Sequence, residues 1–304
     1  MSCSGFGGRS KIAVQGGAVT RTFSDTSERY AFISEDIKPA HMWNDSQWGV
    51  GEIAPSINAN RRKATVYSGT IILEGSRENI HTWLVRTLWS ASSSSPLGVS
   101  ADYTNHEFDI LIDKENEVFR YNNCLVDSLT IFSDVDHLCY IAVGIIAQTE
   151  TKDTAWPSPE PAVPVTASYY PYTHYESLLE INSVNIPIER VSLHISNKLV
   201  PVMRGSITPQ KFRSQGREVK LSGVTILDAD AFPEIDALLD AAEDAVFTYS
   251  NTDIGSETIN CQNFRNINHT TPNVRGLESI PVPFQLRANK DNISTAELSV
   301  TIAS

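Results

Sequence analysis

The sequence predicts a mainly β protein, with two tandem β-sandwich or barrel domains and one α-helix along the flank of each. Three observations carry this reading. Most of the chain consists of short alternating strands closed by turn residues, and one strand-then-helix stretch recurs at a nearly constant offset. A proline-rich segment also divides the 304 residues into halves of similar length.

The strands are legible as "KATVYSGTIIL", "EFDILID", "ESLLEINSVNI", "RVSLHIS" and "REVKLSGVTIL", where apolar residues alternate with polar ones as on a half-buried sheet. The division falls in "ETKDTAWPSPEPAVPVT", Glu150 to Thr166. Pro157, Pro159, Pro161 and Pro164 remove backbone donors there and hold the chain extended. Residues 1–152 form the first predicted domain, 153–166 the linker and 167–304 the second.

The recurrence is a matter of register. "SGTIILEGSRENIHTWLVRTLW" from Ser68 is echoed by "SGVTILDADAFPEIDALLDAAE" from Ser222, with Ser68-Gly69 matching Ser222-Gly223 at an offset of 154. One insertion later, Ile80, Trp83 and Leu84 match Ile235, Leu238 and Leu239 at 155, and each triplet forms one face of a helix packed on its sheet. Ser76 and Asp230 stand where an N-cap belongs, and Pro233 falls in a first turn that tolerates it. Leu138, Ile141, Val143 and Ile145 are matched by Leu277, Ile280, Val282 and Phe284 at an offset of 139, with the terminal "AELSVTIA" as the alternative counterpart.

Composition excludes several classes. At 41% hydrophobic and 20% charged, the chain has the make-up of an ordinary globular protein. The longest apolar run, "YIAVGIIA", is far short of the roughly 20 residues of a membrane span. The start "MSCSGFGGRSKIAV" lacks the charged and apolar regions of a secretory signal. Cys3, Cys124, Cys139 and Cys261 have no CxxC spacing and are expected to be reduced thiols. A net charge of -12 argues against general phosphate-backbone binding.

Catalytic signals are faint. The seven histidines are scattered singly, and "DVDH" at Asp134 to His137 has the make-up of a solvated turn. "GFGGRS" follows no strand and lacks the ending of a phosphate loop, and no GxSxG elbow is present. The expectation is a protein that is not an enzyme and has no cofactor or metal. "ASYYPYTHY", Ala167 to Tyr175, is the one aromatic cluster that could serve a carbohydrate-binding or hydrolytic β-sandwich.

A short strand ending in Ser-Gly, a few polar residues and a Leu-rich helix, set among β-strands, resembles the tube domain of the tail tube proteins of long-tailed, siphovirus-like bacteriophages. "RSQGREVKLSGVTILDADAFPEIDALLDAAEDAVFTYSN" carries the resemblance best, and "RRKATVYSGTIILEGSRENIHTWLVRTLW" repeats it in the first half. The first half departs from the pattern at "MWNDSQWGVGEIAPSINAN".

The resemblance implies a structural virion protein that stacks as rings into the tail tube, a conduit for genome delivery. Its ring would be a trimer with pseudo-sixfold symmetry, assembled in the bacterial host cytoplasm. Tape measure, terminator and distal tail proteins would be its partners; DNA would pass without specific binding, and no membrane anchor is implied. The alternative is a capsid or baseplate decoration or tail-completion protein of two β domains. On the tube reading, Glu107 and Asp109 share one face of "EFDILID" and are the candidate lumen residues of an acidic bore. The polar loop Ser90 to Asn105, with Ser92, Ser93, Ser94, Ser95, Pro96 and Leu97 at its tip, is the candidate inter-ring contact.

Deleting Ser92 to Val99 is therefore expected to leave folding and ring formation intact and to shorten the tubes seen by negative-stain microscopy. Loss of soluble protein would place the loop in the core instead.

Overall fold

The computed structural model describes residues 11–16, 23, 28–30, 32–44, 61–89, 106–114, 117–153, 155–158, 160, 170–204, 206–226, 235–236, 243–253, 255–266, 281–288 and 298–303. The first half contains β1 (Lys11–Gly16), β2 (Glu28–Tyr30), β3 (Ser34–Glu35), β4 (Lys38–Asn44), β5 (Arg61–Glu74), α1 (Arg77–Leu88), β6 (Phe108–Asp113), β7 (Val118–Asp134), β8 (Tyr140–Ala147) and β9 (Thr149–Asp153). A 3-10 turn at His174–Glu176 opens the second half. There follow β10 (Ser177–Ile181), β11 (Val184–Ile186), β12 (Ile188–Ser196), β13 (Leu199–Val202), β14 (Lys211–Ser214), β15 (Glu218–Ile226), β16 (Glu243–Asn251), β17 (Gly255–Asn266), β18 (Pro281–Ala288) and β19 (Leu298–Ala303). The fold is mainly antiparallel β, as expected.

Helix α1 begins where the sequence indicates. The Ser76 hydroxyl accepts the Asn79 N–H at 3.2 Å, Glu78 lies in the first turn and Arg86 in the last, a distribution that suits the helix dipole. It stops at Trp89, whose left-handed backbone (φ 54°) turns its N–H back to the Val85 carbonyl. The stripe Ile80, Trp83 and Leu84 is fully buried, each side chain contributing about 1.5–3 kcal/mol of transfer free energy. In the second half Ile235 is buried and helical with Asp236; Leu238, Leu239, Asp230 and Pro233 lie outside the described residues.

Both halves use one pairing scheme. The long strand β7 pairs with β6, β8 and β9, and the long strand β17 with β16, β18 and β19. β5 lies against β8 as β15 lies against β18, with Gly69 opposite Ile145 and Gly223 opposite Phe284. These are the positions aligned in sequence at offsets of 154 and 139. The terminal strand β19 pairs with β17 instead, so Pro281–Ala288 takes the place equivalent to β8.

The sequence boundary between the halves is not a boundary in packing. β12 pairs antiparallel with β7 over seven positions, from Arg190 opposite Asp134 to Ser196 opposite Ser128, which joins the two sheets. One hydrophobic cluster accordingly includes Trp83 and Leu129 from the first half and Leu193, Phe247 and Phe284 from the second. The described part of the linker is docked rather than free. Trp156 packs against Ala13, Leu111 and Val118, and Glu160 reaches Lys11 at 2.7 Å and Arg29 at 2.6 Å.

Gly69 and Gly223 are required by close strand approach. A Cβ on Gly69 would lie 2.5 Å from the Ile37 Cα, and one on Gly223 would lie 2.6 Å from the Arg190 carbonyl oxygen. Gly69→Ala and Gly223→Ala are each expected to cost about 1–3 kcal/mol of stability through overpacking. Urea unfolding followed by circular dichroism measures this, and unchanged midpoints would show that the neighbouring strands yield.

Candidate functional site

Two features of the joined sheet distinguish it from an ordinary sandwich: one of its faces is open, and a strap from the second half crosses onto the first. On β7, β12 and β15, Leu129, Ile131, Val191, Leu193, Ile195, Val219 and Leu221 point into the core. Ser128, Thr130, Ser192, His194, Lys220 and Ser222 alternate with them and are half-buried on the opposite face. This face is rich in hydroxyls. Across the joint, Thr130 Oγ1 and His194 Nδ1 are 2.9 Å apart, and burial pulls the His194 pKa below its usual value.

The strap consists of the segment around β13 and β14, which among the described residues pair only with each other. Leu199 and Phe212 from these strands join Val66, Trp89, Leu125 and Ile146 of the first half in one apolar cluster. The Thr65 N–H donates to the Ile207 carbonyl at 2.8 Å. At the root of the strap, buried Asn197 Nδ2 donates to the carbonyls of Thr87 (2.9 Å) and Val126 (3.0 Å), while its Oδ1 accepts from Arg217 Nε at 2.7 Å. Arg217 also donates to the Thr87 carbonyl at 3.3 Å, and its guanidinium lies 4.9 Å from the Trp89 ring centroid. Second-half residues thus satisfy a carbonyl that the C-terminal turn of α1 leaves unpaired.

Beside the strap, Glu218 is surrounded by Lys198 (2.9 Å), Lys220 (3.2 Å) and Arg287 (3.3 Å). The hydrogen bond from Lys198, reinforced by Lys220, holds the Glu218 pKa at about 2. Three cations around one carboxylate make this end of the second half electropositive.

Of the two lumen candidates read from the sequence, Asp109 does not face open solvent. Glu107 is half-buried, and Asp109 is only 4% exposed. The Asp109 carboxylate accepts from Arg120 at 2.9 Å and from the Asn123 N–H at 2.9 Å. Asn123 has φ 51° at the bulge where β7 leaves β6, so Asp109 braces a bend. Leu111 on the same face is buried under Ala13, Val118 and Trp156. Alternation alone suggested an open face because it could not reveal the covering segment. The loop residues Ser92, Ser93, Ser94, Ser95, Pro96 and Leu97 lie outside the described residues.

A hydroxyl–imidazole pair does occur, but it is enclosed. His174 Nε2 is 2.9 Å from the Ile188 carbonyl, which can only accept, so Nε2 carries a proton, and Nδ1 lies 3.0 Å from the Ser133 hydroxyl. Ser133 is fully buried and His174 nearly so, and the pair ties the first half to the second rather than facing a cleft. "DVDH" forms a turn in which the His137 N–H donates to the Asp134 carbonyl. Of the tyrosines after the linker, Tyr172 is buried and stacked on Tyr249, while Tyr170 and Tyr175 are exposed. Cys124 and Cys139 are free buried thiols, and burial pushes Cys139 up to about 12. Among the described residues no group of three His, Cys, Asp or Glu could hold a metal ion, and no helix is long and apolar enough to cross a membrane.

No protein-family model matches the chain, and no curated protein matches it in sequence.

The strap escaped the reading of single segments, although a signal existed. "GEIAP" at Gly51 to Pro55 and "GSITP" at Gly205 to Pro209 share Gly, Ile and Pro at the same offset of 154.

Because the Glu218 pKa is depressed in the fold, its contribution to stability is complete above the unfolded value of about 4.3 and is lost as pH falls toward 2. Glu218→Gln is expected to flatten the pH dependence of the thermal midpoint in that window. An unchanged slope in calorimetric scans would show that the ion cluster does not stabilise the fold.

Proposed function

We propose that the chain is the building block of a phage-type tail tube, and that the open face of its joined sheet lines the channel. The observation that carries the reading is the β7–β12 pairing, which merges two similarly wired halves into one sheet with a half-buried, hydroxyl-rich face. A sheet of that kind, repeated around an axis, gives a closed wall without exposed strand edges. The two halves then occupy adjacent positions in the ring, and three chains supply six.

The face also suits a passage for DNA. Hydroxyls and charges paired with opposite charges give phosphates little net attraction, whereas a wall of unpaired Lys and Arg would retain DNA by releasing its counterions. The described residues of this face carry no row of carboxylates, so the wall works through weak attraction rather than through the acidic bore expected from composition. The overall charge of -12 adds a repulsive background.

Negative-stain microscopy of the purified chain is expected to show rings of three subunits with six similar lobes, and stacked tubes at higher concentration. Light scattering that finds only a monomer under all near-physiological conditions would reject the reading. Ser192→Lys with Ser222→Lys is expected to leave the rings intact and make them retain short duplex DNA at low salt, with loss of retention as salt rises.

A further inference from the structure

The joined sheet has two ends of opposite charge. Along the β7–β12 joint the strands run from the Ser128–Ser196 pair to the Asp134–Arg190 pair, about 20 Å apart at the usual rise per residue. Beyond the first pair lies the strap, tied down where the Leu199 N–H donates to the Asp127 carboxylate at 2.7 Å. Beyond the second lies the turn between β7 and β8. There the Val135 N–H donates to the Glu189 carbonyl, and the His174 N–H donates to the His137 carbonyl.

From Leu199 to Ser214 the strap contains Arg204, Lys211 and Arg213 and no acidic residue. All three cations are exposed, and among the described residues none has a carboxylate within ion-pair distance. Val200 stands opposite Arg213 in the β13–β14 register, on the side turned away from buried Phe212, and a groove lined by Val200, Val202, Arg213 and Gln215 opens there. Ile207 is 53% exposed further along the strap. At the other end Asp134, Asp136, Glu176 and Glu189 gather around the turn, with Arg190 as the cation among them. Asp136 and Glu189 have no cation within ion-pair distance among the described residues. Tyr175 projects beside them, 76% exposed, with its hydroxyl donating to Asp136 at 3.1 Å. Each end thus has exposed apolar surface inside a charged rim, and the two rims are opposite in sign.

We propose that copies of the chain join end to end, the strap of one resting on the β7–β8 turn of the next. Tyr175 enters the groove beside Arg213, and Lys211 and Arg213 face Asp136 and Glu189. This rests on the tube reading, in which it is the contact that stacks one ring on another. The two surfaces differ, so the contact is heterologous and repeats along a line. Charge also orients it: strap on strap, or turn on turn, would set like charges together, so stacks grow head to tail. Neither surface uses the open face of the sheet, which stays free to line the channel.

The test compares two full-length variants by analytical ultracentrifugation and negative-stain microscopy, which count rings and stacks separately. Lys211→Glu with Arg213→Glu reverses the charge of the strap. Glu189→Lys with Asp136→Asn reverses that of the turn, and asparagine suits the left-handed backbone at position 136 (φ 67°). Each variant alone is expected to keep its thermal midpoint and its rings but to stack about tenfold or more weakly at low salt. An equimolar mixture is expected to regain long stacks, because each variant then offers the charge that the other lacks. High salt is expected to shorten wild-type stacks. Variants that stack alone as the wild type does, or a mixture that fails to recover, would overturn the end-to-end contact and leave the tube reading standing. A wild type without rings whose end-to-end pairs are lost in both variants and regained on mixing would reject the tube reading and keep the contact. A wild-type chain that never associates would remove both.

Discussion

The edge of β7 between Ser128 and Asp134 needs a partner, and the rest of the molecule follows from which strand supplies it. A buried peptide N–H or carbonyl without a hydrogen bond costs about 1–3 kcal/mol, so a long central strand cannot leave one side open. Here β12 fills that side with seven paired positions and fixes the second half against the first. The same contact sets His194 beside Thr130. It also carries the chain onward to Asn197, whose amide reaches the end of α1. Sheet closure, helix capping and the docking of the strap are consequences of one strand pairing.

β7 serves two sheets, and its sequence shows how. Its first part pairs with β6 and β9, its second with β8 and β12, and the change of partner occurs at the bulge around Asn123. Asparagine tolerates the left-handed backbone there better than a branched residue does. Asp109 and Arg120 hold the bend, since one carboxylate takes both the Asn123 N–H and the guanidinium. A charged pair so little exposed is weak evidence of net stabilisation, but removing either partner would strand the other. Its effect is to fix where the strand turns.

The two surfaces of the second half differ in character for a physical reason. Where it meets the first half, Leu199 and Phe212 are buried within the same chain, so apolar side chains gain from burial there. Elsewhere on its surface, Lys198, Lys220 and Arg287 gather around Glu218 and keep the face polar. A hydrophobic face at that position would promote indiscriminate association.

Local chemistry determined much of this protein. Alternation fixed the mainly β class, Ser76 fixed the start of α1, and the spacing of Ile80, Trp83 and Leu84 fixed which side of the helix is buried. The offsets of 154 and 139 also located the strands that face each other in each half, because register follows from period-two patterning. These features depend on residues close in sequence. Only the tertiary structure decided that the halves share a sheet, that Trp156 and Val118 cover the face carrying Leu111, and that Asp109 braces a bend instead of facing solvent. Strand alternation shows that a residue lies on one face or the other. Whether that face is open depends on segments far away in the chain, and the pairing of β7 with β12 brings together residues some sixty positions apart that no local pattern connects.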